Sequence, residues 1–276
     1  MLNTNKLNRL RILTITIFSF LLVAACTEIS KNAVAQRDDN LQPVGNTSQT
    51  NDLFKSLKSK NFDRVKELVR SGANLDQREE DGDTVLQIAM LMTIPENNLD
   101  ILEFLLKSGA NPNMAIQSGS HPLEKAIWSN DNRIAFLLLQ YGADVNTKFD
   151  DRSVLTESIM LGKKELPAYL LTHGARVNEP NKIGRTELFY VKGERDELVK
   201  LLIEKGADVN HKDNDGLTPL FMAVEYNDIK LIHMLVENGA NVNEQDKDGW
   251  TPLQQALVSG CNDVVEYLKK HGANLK

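Results

Sequence analysis

The 276-residue chain has little of several things, and each shortage excludes a class of protein. Two cysteines, Cys26 and Cys261, permit at most one disulfide and no cysteine-rich metal site. Sixteen Gly and eight Pro rule out a collagen-like or low-complexity chain, and 41% apolar residues rule out a wholly disordered one. Basic charge is in deficit: 32 Lys and Arg against 38 Asp and Glu give −6. That is the wrong sign for a protein that neutralises many phosphates, so nucleic acid is not the main partner. The N-terminal uncharged run, Ile12 to Ala25, has 14 residues against the ~20 of a membrane-crossing helix. Leu, Ile and Val still suffice for a sizeable core, and the length suggests one large or two ordinary domains.

That run has the features of an export signal. Lys6, Arg9 and Arg11 form a positive segment before it, and it ends in small residues. Val23-Ala24-Ala25-Cys26 resembles the lipobox of bacterial lipoproteins, in which the Cys after a small residue is acylated and becomes the new N-terminus. The position needs a thiol because the thiolate is the nucleophile. The alternative is ordinary cleavage after Ala35, ten residues beyond the apolar run and past Glu28 and Lys31. Two or more acyl chains anchor a protein stably where one does not. Thr27, in place of an Asp, resembles the routing of Gram-negative lipoproteins to the outer membrane, with the domain facing the periplasm. Loss of residues 1–25 removes three positive charges and leaves −9, so anionic lipid repels the mature chain and acyl chains become its membrane contact. Residues 26–50 are polar and read as a flexible tether.

From residue 51 to 276 the chain repeats itself. Gly-Ala recurs at Gly72, Gly109, Gly142, Gly174, Gly206, Gly239 and Gly272, spaced by 37, 33, 32, 32, 33 and 33 residues. A second motif precedes most of these, clearest as Gly216-Leu217-Thr218-Pro219-Leu220 and Gly249-Trp250-Thr251-Pro252-Leu253. Weaker copies start at Gly82, Gly119 and Gly184. Thr218 and Thr251 suit helix N-caps, and Pro219 and Pro252 suit the first helical position, where a missing N–H is harmless. Ile229, Ile232, Leu235 and Val236 form an apolar stripe at helical spacing, and Gly239 ends that helix in the left-handed conformation.

These motifs resemble ankyrin repeats over the whole of 51–276. The resemblance implies an all-α repeat solenoid of about seven helix-turn-helix units joined by short β-hairpin turns. Such short helices are marginal alone, so each copy must bury its stripe on the next. Seven layers ~8–10 Å apart make a curved rod about 60–70 Å long. Irregularities are expected at four places. Extra residues around Thr93 to Asn98, with Pro95, should lengthen the turn in the second repeat. The fourth hairpin, Asp151-Arg152-Ser153-Val154-Leu155, is one residue short and lacks Gly and Pro. Lys192-Gly193-Glu194-Arg195 should close the fifth repeat's turn early. The first repeat lacks a hairpin and carries Lys55, Lys58 and Lys60, as an N-terminal cap would.

Catalytic motifs are missing: there is no Gly-x-Ser-x-Gly, Walker A, dinucleotide fingerprint or His-Glu-x-x-His. The histidines are explained by repeat position. His173 and His271 precede the terminal Gly, where a cation suits a helix C-terminus. His121 replaces the motif Thr, His211 lies in a hairpin, and His233 is expected on a helix surface. Glu79-Glu80 and Asp150-Asp151 read as solvated hairpin acids, and Cys261 as a free, partly buried thiol. No catalytic residue, cofactor, metal or small-molecule substrate is expected.

What is left is a surface. Ankyrin repeats bind proteins through hairpin tips and the exposed face of the first helix, and the resemblance carries this onto particular residues. On the hairpins they are Asp83, Ser120, Arg152, Arg185, Leu217 and Trp250; on the helices Leu91, Met92, Trp128, Ser129, Met160, Leu161, Glu225, Tyr226, Val258 and Ser259. Both tryptophans of the chain fall in this set, and Trp, Tyr and Arg dominate binding hot spots. The expected site is an aromatic and apolar concave stripe of Trp128, Met160, Leu161, Tyr226 and Val258, flanked by Arg152, Arg185, Leu217 and Trp250. Several of these could instead pack between repeats. The expectation is a non-enzymatic protein-binding scaffold held by lipid in the cell envelope. A narrower alternative is an immunity protein that neutralises an envelope-acting toxin, and a further one is an enzyme or enzyme accessory with a site in the repeat groove.

Overall fold

The computed structural model describes residues 47–96, 99–115, 119–129 and 131–275. The export signal, Cys26 and most of the tether lie outside the described residues. Among the described residues there are thirteen α-helices, twelve of them in pairs: α1 (Thr47–Lys58) with α2 (Phe62–Arg70), α3 (Val85–Glu96) with α4 (Asp100–Lys107), and α5 (Pro122–Trp128) with α6 (Asn132–Gln140). After α7 (Val154–Met160) and α8 (Leu166–Thr172), a single 3-10 turn, Glu187–Phe189, precedes α9 (Asp196–Glu204). The last pairs are α10 (Pro219–Glu225) with α11 (Ile229–Glu237), and α12 (Pro252–Ser259) with α13 (Asn262–Lys270). The main helix contacts join partners within a pair or neighbouring pairs, as α1 to α3, α5 to α7 and α10 to α12. The fold is thus an all-α repeat solenoid whose core is one continuous line of layers.

The Gly-Ala dipeptides work as their positions imply. At all seven, φ lies between +88° and +97°. The following Ala N–H donates back to a Leu carbonyl five residues earlier, as Ala240 to Leu235 at 2.9 Å, which with the Gly239 to Val236 bond completes a Schellman stop. The accepting leucines, Leu68, Leu105, Leu138, Leu170, Leu202, Leu235 and Leu268, are all buried. The helix stop and the core therefore share one residue per repeat.

A second device ties repeat to repeat. Asn113, Asn146, Asn178, Asn210 and Asn243 each donate from Nδ2 to the carbonyl of the next repeat's terminal Gly. Each also accepts at Oδ1 the N–H two residues beyond that Gly. At the first junction Asp76 has only the accepting half, from Asn111 N–H at 2.9 Å.

Several local expectations need correction. Thr93 to Glu96 do not lengthen a turn; they extend α3, while residues 97–98 lie outside the described residues. The short fourth hairpin is the chain's one paired two-strand element among the described residues. It is formed by β1 (Lys148–Phe149) and β2 (Arg152–Ser153), with Asp150 in the left-handed region at φ +49°. A two-residue loop with positive φ suits the twist of its strands, and Asp tolerates that conformation. In the fifth repeat the first helix shrinks to one 3-10 turn, with Glu187 where other copies have Pro or Val. At the start, α1 opens at Thr47, inside the stretch read as tether, and Thr50, Leu53, Phe54 and Leu57 are buried. Lys58 of this first repeat pairs with Glu79 of the next hairpin at 2.7 Å.

The caps divide. Thr251 and Gln254 form a reciprocal capping box, whereas Thr218 Oγ1 is buried with no hydrogen-bond partner. On α11 the buried residues are Leu231, Ile232 and Leu235, with Ile229 exposed instead. His233 is not a free surface residue either: its ring stacks on Tyr267 of the next repeat at 3.9 Å, and Tyr267 also meets His271 at 4.1 Å. Val264, Val265 and Leu268 of the last layer turn inward and are buried.

Candidate protein-binding surface

The last residues of each first helix decide the surface. Ile127, Ile159 and Val224 occupy one equivalent position and are buried, because their side chains point between layers. One residue further round the helix the direction is outward, so Trp128 is 56% exposed and Leu91, Met160 and Val258 are also exposed. Leu161 and Tyr226, one position further still, are exposed as well, while Met92 and Ser129 are half-buried. Glu225 and Ser259 are exposed. The helical period alone turns a buried row into an open one.

The turns that follow these helices are bonded to one another, which brings the exposed residues into one ledge. Lys163 Nζ donates to the Ser129 carbonyl of the preceding repeat. Arg195 Nη1 donates to the Ile159 carbonyl at 3.3 Å. Gly193 N–H donates to Asp228 Oδ2 at 2.9 Å, and Lys192 Nζ lies 4.0 Å from the centre of the Tyr226 ring. A shallow, open cleft of about 430 Å³ lies here, lined by Lys192, Tyr226, Ile229 and Lys230 among others.

The hairpin row answers differently. Trp250 is 42% exposed on a turn in which Asp246 Oδ1 accepts the N–H groups of Asp248 and Trp250. Leu217 is only half-buried, and so are Asp83 and Ser120. Arg152 and Arg185, expected as flanking hot spots, are half-buried and each is paired with an acid of its own chain. Arg152 Nε pairs with buried Glu157 at 2.8 Å, and Arg185 Nε with buried Asp213 at 2.8 Å while lying over the Phe189 ring. A buried acid left without a partner is costly, so these arginines brace their hairpins. Sequence reading missed Ile183 at a hairpin tip and Leu257 in the last repeat, both exposed. Leu257 stands at the position that Met90, Ile127, Ile159 and Val224 hold buried in their repeats.

The polar groups elsewhere are structural. Glu187 is fully buried, accepts from Asn178 N–H at 3.0 Å and from Thr156 Oγ1 at 3.4 Å, and its carboxyl pKa is raised, chiefly by burial. A side chain with no exposed surface does not meet a substrate. His121 Nα–H bonds to Glu124 as part of a cap, His211 Nε2 sits 2.9 Å from the Gly184 carbonyl, and His173 and His271 each place Nδ1 2.8 Å from the backbone oxygen of a Tyr one turn earlier. Glu79 pairs with Lys58, and Asp151 Oδ2 accepts Lys182 N–H at 2.5 Å. Cys261 is a free, half-buried thiol at the N-cap of α13. Among the described residues there is no cluster of three or more His, Cys, Asp or Glu that could hold a metal, and no helix long and apolar enough to cross a membrane.

The ankyrin-repeat family profile matches the chain in three overlapping copies, over residues 53–149, 123–213 and 189–276. The chain belongs to the ankyrin-repeat family. It is also similar to the ankyrin repeat protein L271 of Acanthamoeba polyphaga mimivirus, at 29% identity over 90 residues. That match takes in 31% of this chain and spans only 12% of the viral protein's length. Ankyrin repeats are in general non-catalytic protein-interaction modules.

Proposed function

We propose that the protein is a lipid-anchored scaffold of the bacterial cell envelope, held at the outer membrane and facing the periplasm, that binds a protein through the ledge of Trp128, Met160, Leu161 and Tyr226. One observation carries the binding part: at the end of the first helix in the third, fourth and sixth repeats these large side chains are exposed, while their neighbours Ile127, Ile159 and Val224 are buried. Exposed apolar side chains gathered on one face favour association, and aromatic ones bury large area at small entropic loss. The anchor rests on Val23-Ala24-Ala25-Cys26 and the positive segment before it, and the polar stretch that follows supplies reach from the membrane.

The test has two parts. A photo-crosslinking amino acid at position 128 or 226 in living cells should trap one envelope protein, and the same group at exposed Lys200 should not. Equal trapping at both places would overturn the assignment of the ledge. Cys26→Ala should leave the precursor full-length and unlabelled by radioactive fatty acid; labelled or normally processed C26A protein would remove the anchor from the proposal.

A further inference from the structure

The ledge carries charge in a pattern that the domain as a whole does not. Residues 51–276 hold 27 Lys and Arg against 35 Asp and Glu, a net −8. Yet each of three successive repeat junctions on the ledge places one cation with no carboxylate partner. Lys163 reaches from the fourth repeat to the Ser129 carbonyl of the third. Arg195 reaches from the fifth to the Ile159 carbonyl of the fourth. Lys192 reaches from the fifth to the Tyr226 ring of the sixth. The neighbouring acids are largely occupied: Asp131 by Arg133, Glu194 by Lys230, and Asp228 by the N–H groups of Gly193 and Leu231. Glu165 and Glu225 remain, both exposed, with Asp196, half-buried beside Arg195.

The geometry points to an extended, acidic segment of a protein partner as the occupant of this ledge, with a carboxylate at about every third residue and apolar side chains between them. This rests on the reading of the ledge as the binding surface. Layers of paired helices repeat every ~8–10 Å, and an extended strand advances ~3.3 Å per residue, so three residues of partner span one junction. The apolar side chains of such a segment would meet Trp128, Met160, Leu161 and Tyr226, because each cation is held at Ser129, Ile159 or Tyr226, on or next to one of these residues. Ammonium and guanidinium groups already held by a carbonyl or a ring lose little freedom on pairing, and charge-assisted bonds are the strong kind. Arg195 fits the role best: it is half-buried, and burial alone acts on it, pulling its pKa down. A partner carboxylate would relieve that cost.

The experiment measures binding of labelled synthetic peptides to the full-length chain by fluorescence anisotropy. One peptide has Glu at every third residue with Leu, Phe and Ser between. A second has Gln in place of each Glu, and a third has the first peptide's composition with its Glu residues consecutive. The spaced Glu peptide should bind at least roughly tenfold more tightly than either control and weaken with added salt. The Lys192→Gln/Arg195→Gln variant should lose roughly tenfold for that peptide alone. Since Arg195 also braces the fourth repeat, the Lys192→Gln variant, whose ammonium lies over the Tyr226 ring, is measured beside it. Equal affinity for the three peptides, no binding at all, or affinity unchanged in both variants overturns the inference. So does binding of anionic vesicles that these variants abolish, which would assign the ledge to lipid. If Trp128→Ala/Tyr226→Ala loses the partner trapped in cells while the cation variants keep it, the scaffold stands and the acidic segment falls.

Discussion

Asn210 joins its repeat to Gly239 of the next: Nδ2 donates to the Gly239 carbonyl at 2.9 Å, while Oδ1 accepts the Asn241 N–H at 2.7 Å. The Gly239 carbonyl is one that the helix stop leaves free, so the amide fills a bond the Schellman motif cannot. Asn210→Asp keeps the acceptor, loses the donor and sets a carboxylate against a carbonyl. It should lower unfolding free energy by about 1–3 kcal/mol in urea titrations, with Asn210→Ala similar. A change near zero in both would show that the clamp adds nothing beyond packing.

Glycine is required for different reasons at Gly239 and Gly184. A Cβ on Gly239 would meet nothing within 4 Å, so Gly239→Ala carries only the strain of φ +90°, roughly 1–2 kcal/mol. At Gly184 the same atom would lie 2.6 Å from Asn214 Oδ1 and 2.7 Å from Asn214 N, which bonds to Ile183 O. Gly184→Ala should therefore be the more damaging, at roughly 2–5 kcal/mol. Thermal unfolding of the two variants side by side checks the order.

Two threonines at equivalent N-caps should respond oppositely. Thr251→Val breaks a capping box and should lower stability by about 1 kcal/mol. Thr218→Val removes a buried hydroxyl that has no partner and keeps its shape, so the expected change is within about 0.5 kcal/mol of zero or stabilising.

Glu187 should make stability fall as pH rises. Burial raises its folded-state pKa above the unfolded value, so the folded chain binds its proton more tightly. Its contribution is full below the unfolded carboxyl pKa of about 4.3 and is lost as pH climbs through the raised folded value. Asp131 and Glu244, lowered first by side-chain bonds to Arg133 and Lys212, slope the other way. The difference between the wild type and Glu187→Gln isolates the effect. The Gln variant should be the more stable at pH 7 and lose that advantage toward pH 4. A pH-independent difference would mean that Glu187 titrates as it does in the unfolded chain.

The ledge residues should separate binding from folding. Trp128→Ala, Tyr226→Ala and Trp250→Ala combined remove exposed side chains, so partner affinity should drop by more than tenfold. Each substitution alone should shift stability by no more than about 0.5 kcal/mol. Cooperative unfolding with unchanged affinity would move the binding surface elsewhere.

Much of this was legible in the sequence because it is written in local bonds. The Gly-Ala stop closes a hydrogen bond to a carbonyl five residues earlier, within one turn of chain, and its period counts the repeats. Trp128 and Trp250 were placed on the surface by the same counting, since position on a short helix or hairpin fixes which way a side chain points. The Asn period at 113, 146, 178, 210 and 243 was visible too, and it was the overlooked signal for the clamps.

Tertiary structure alone decided the rest. Nothing in the sequence signals that Arg185 pairs with Asp213, 28 residues on, at 2.8 Å, or that His233 stacks on Tyr267. Glu187 stands in the sequence as a plain acid in a motif; its burial follows from the layers packed on either side. The ordering of Lys163, Arg195 and Lys192 along one ledge belongs to the same class, because each reaches a neighbouring repeat. Local hydrogen bonds and helical period determined where each repeat begins and ends and which way its side chains face. Which of those side chains remain available to a partner depended on groups about thirty residues away, whose positions only the stacking of repeats supplies.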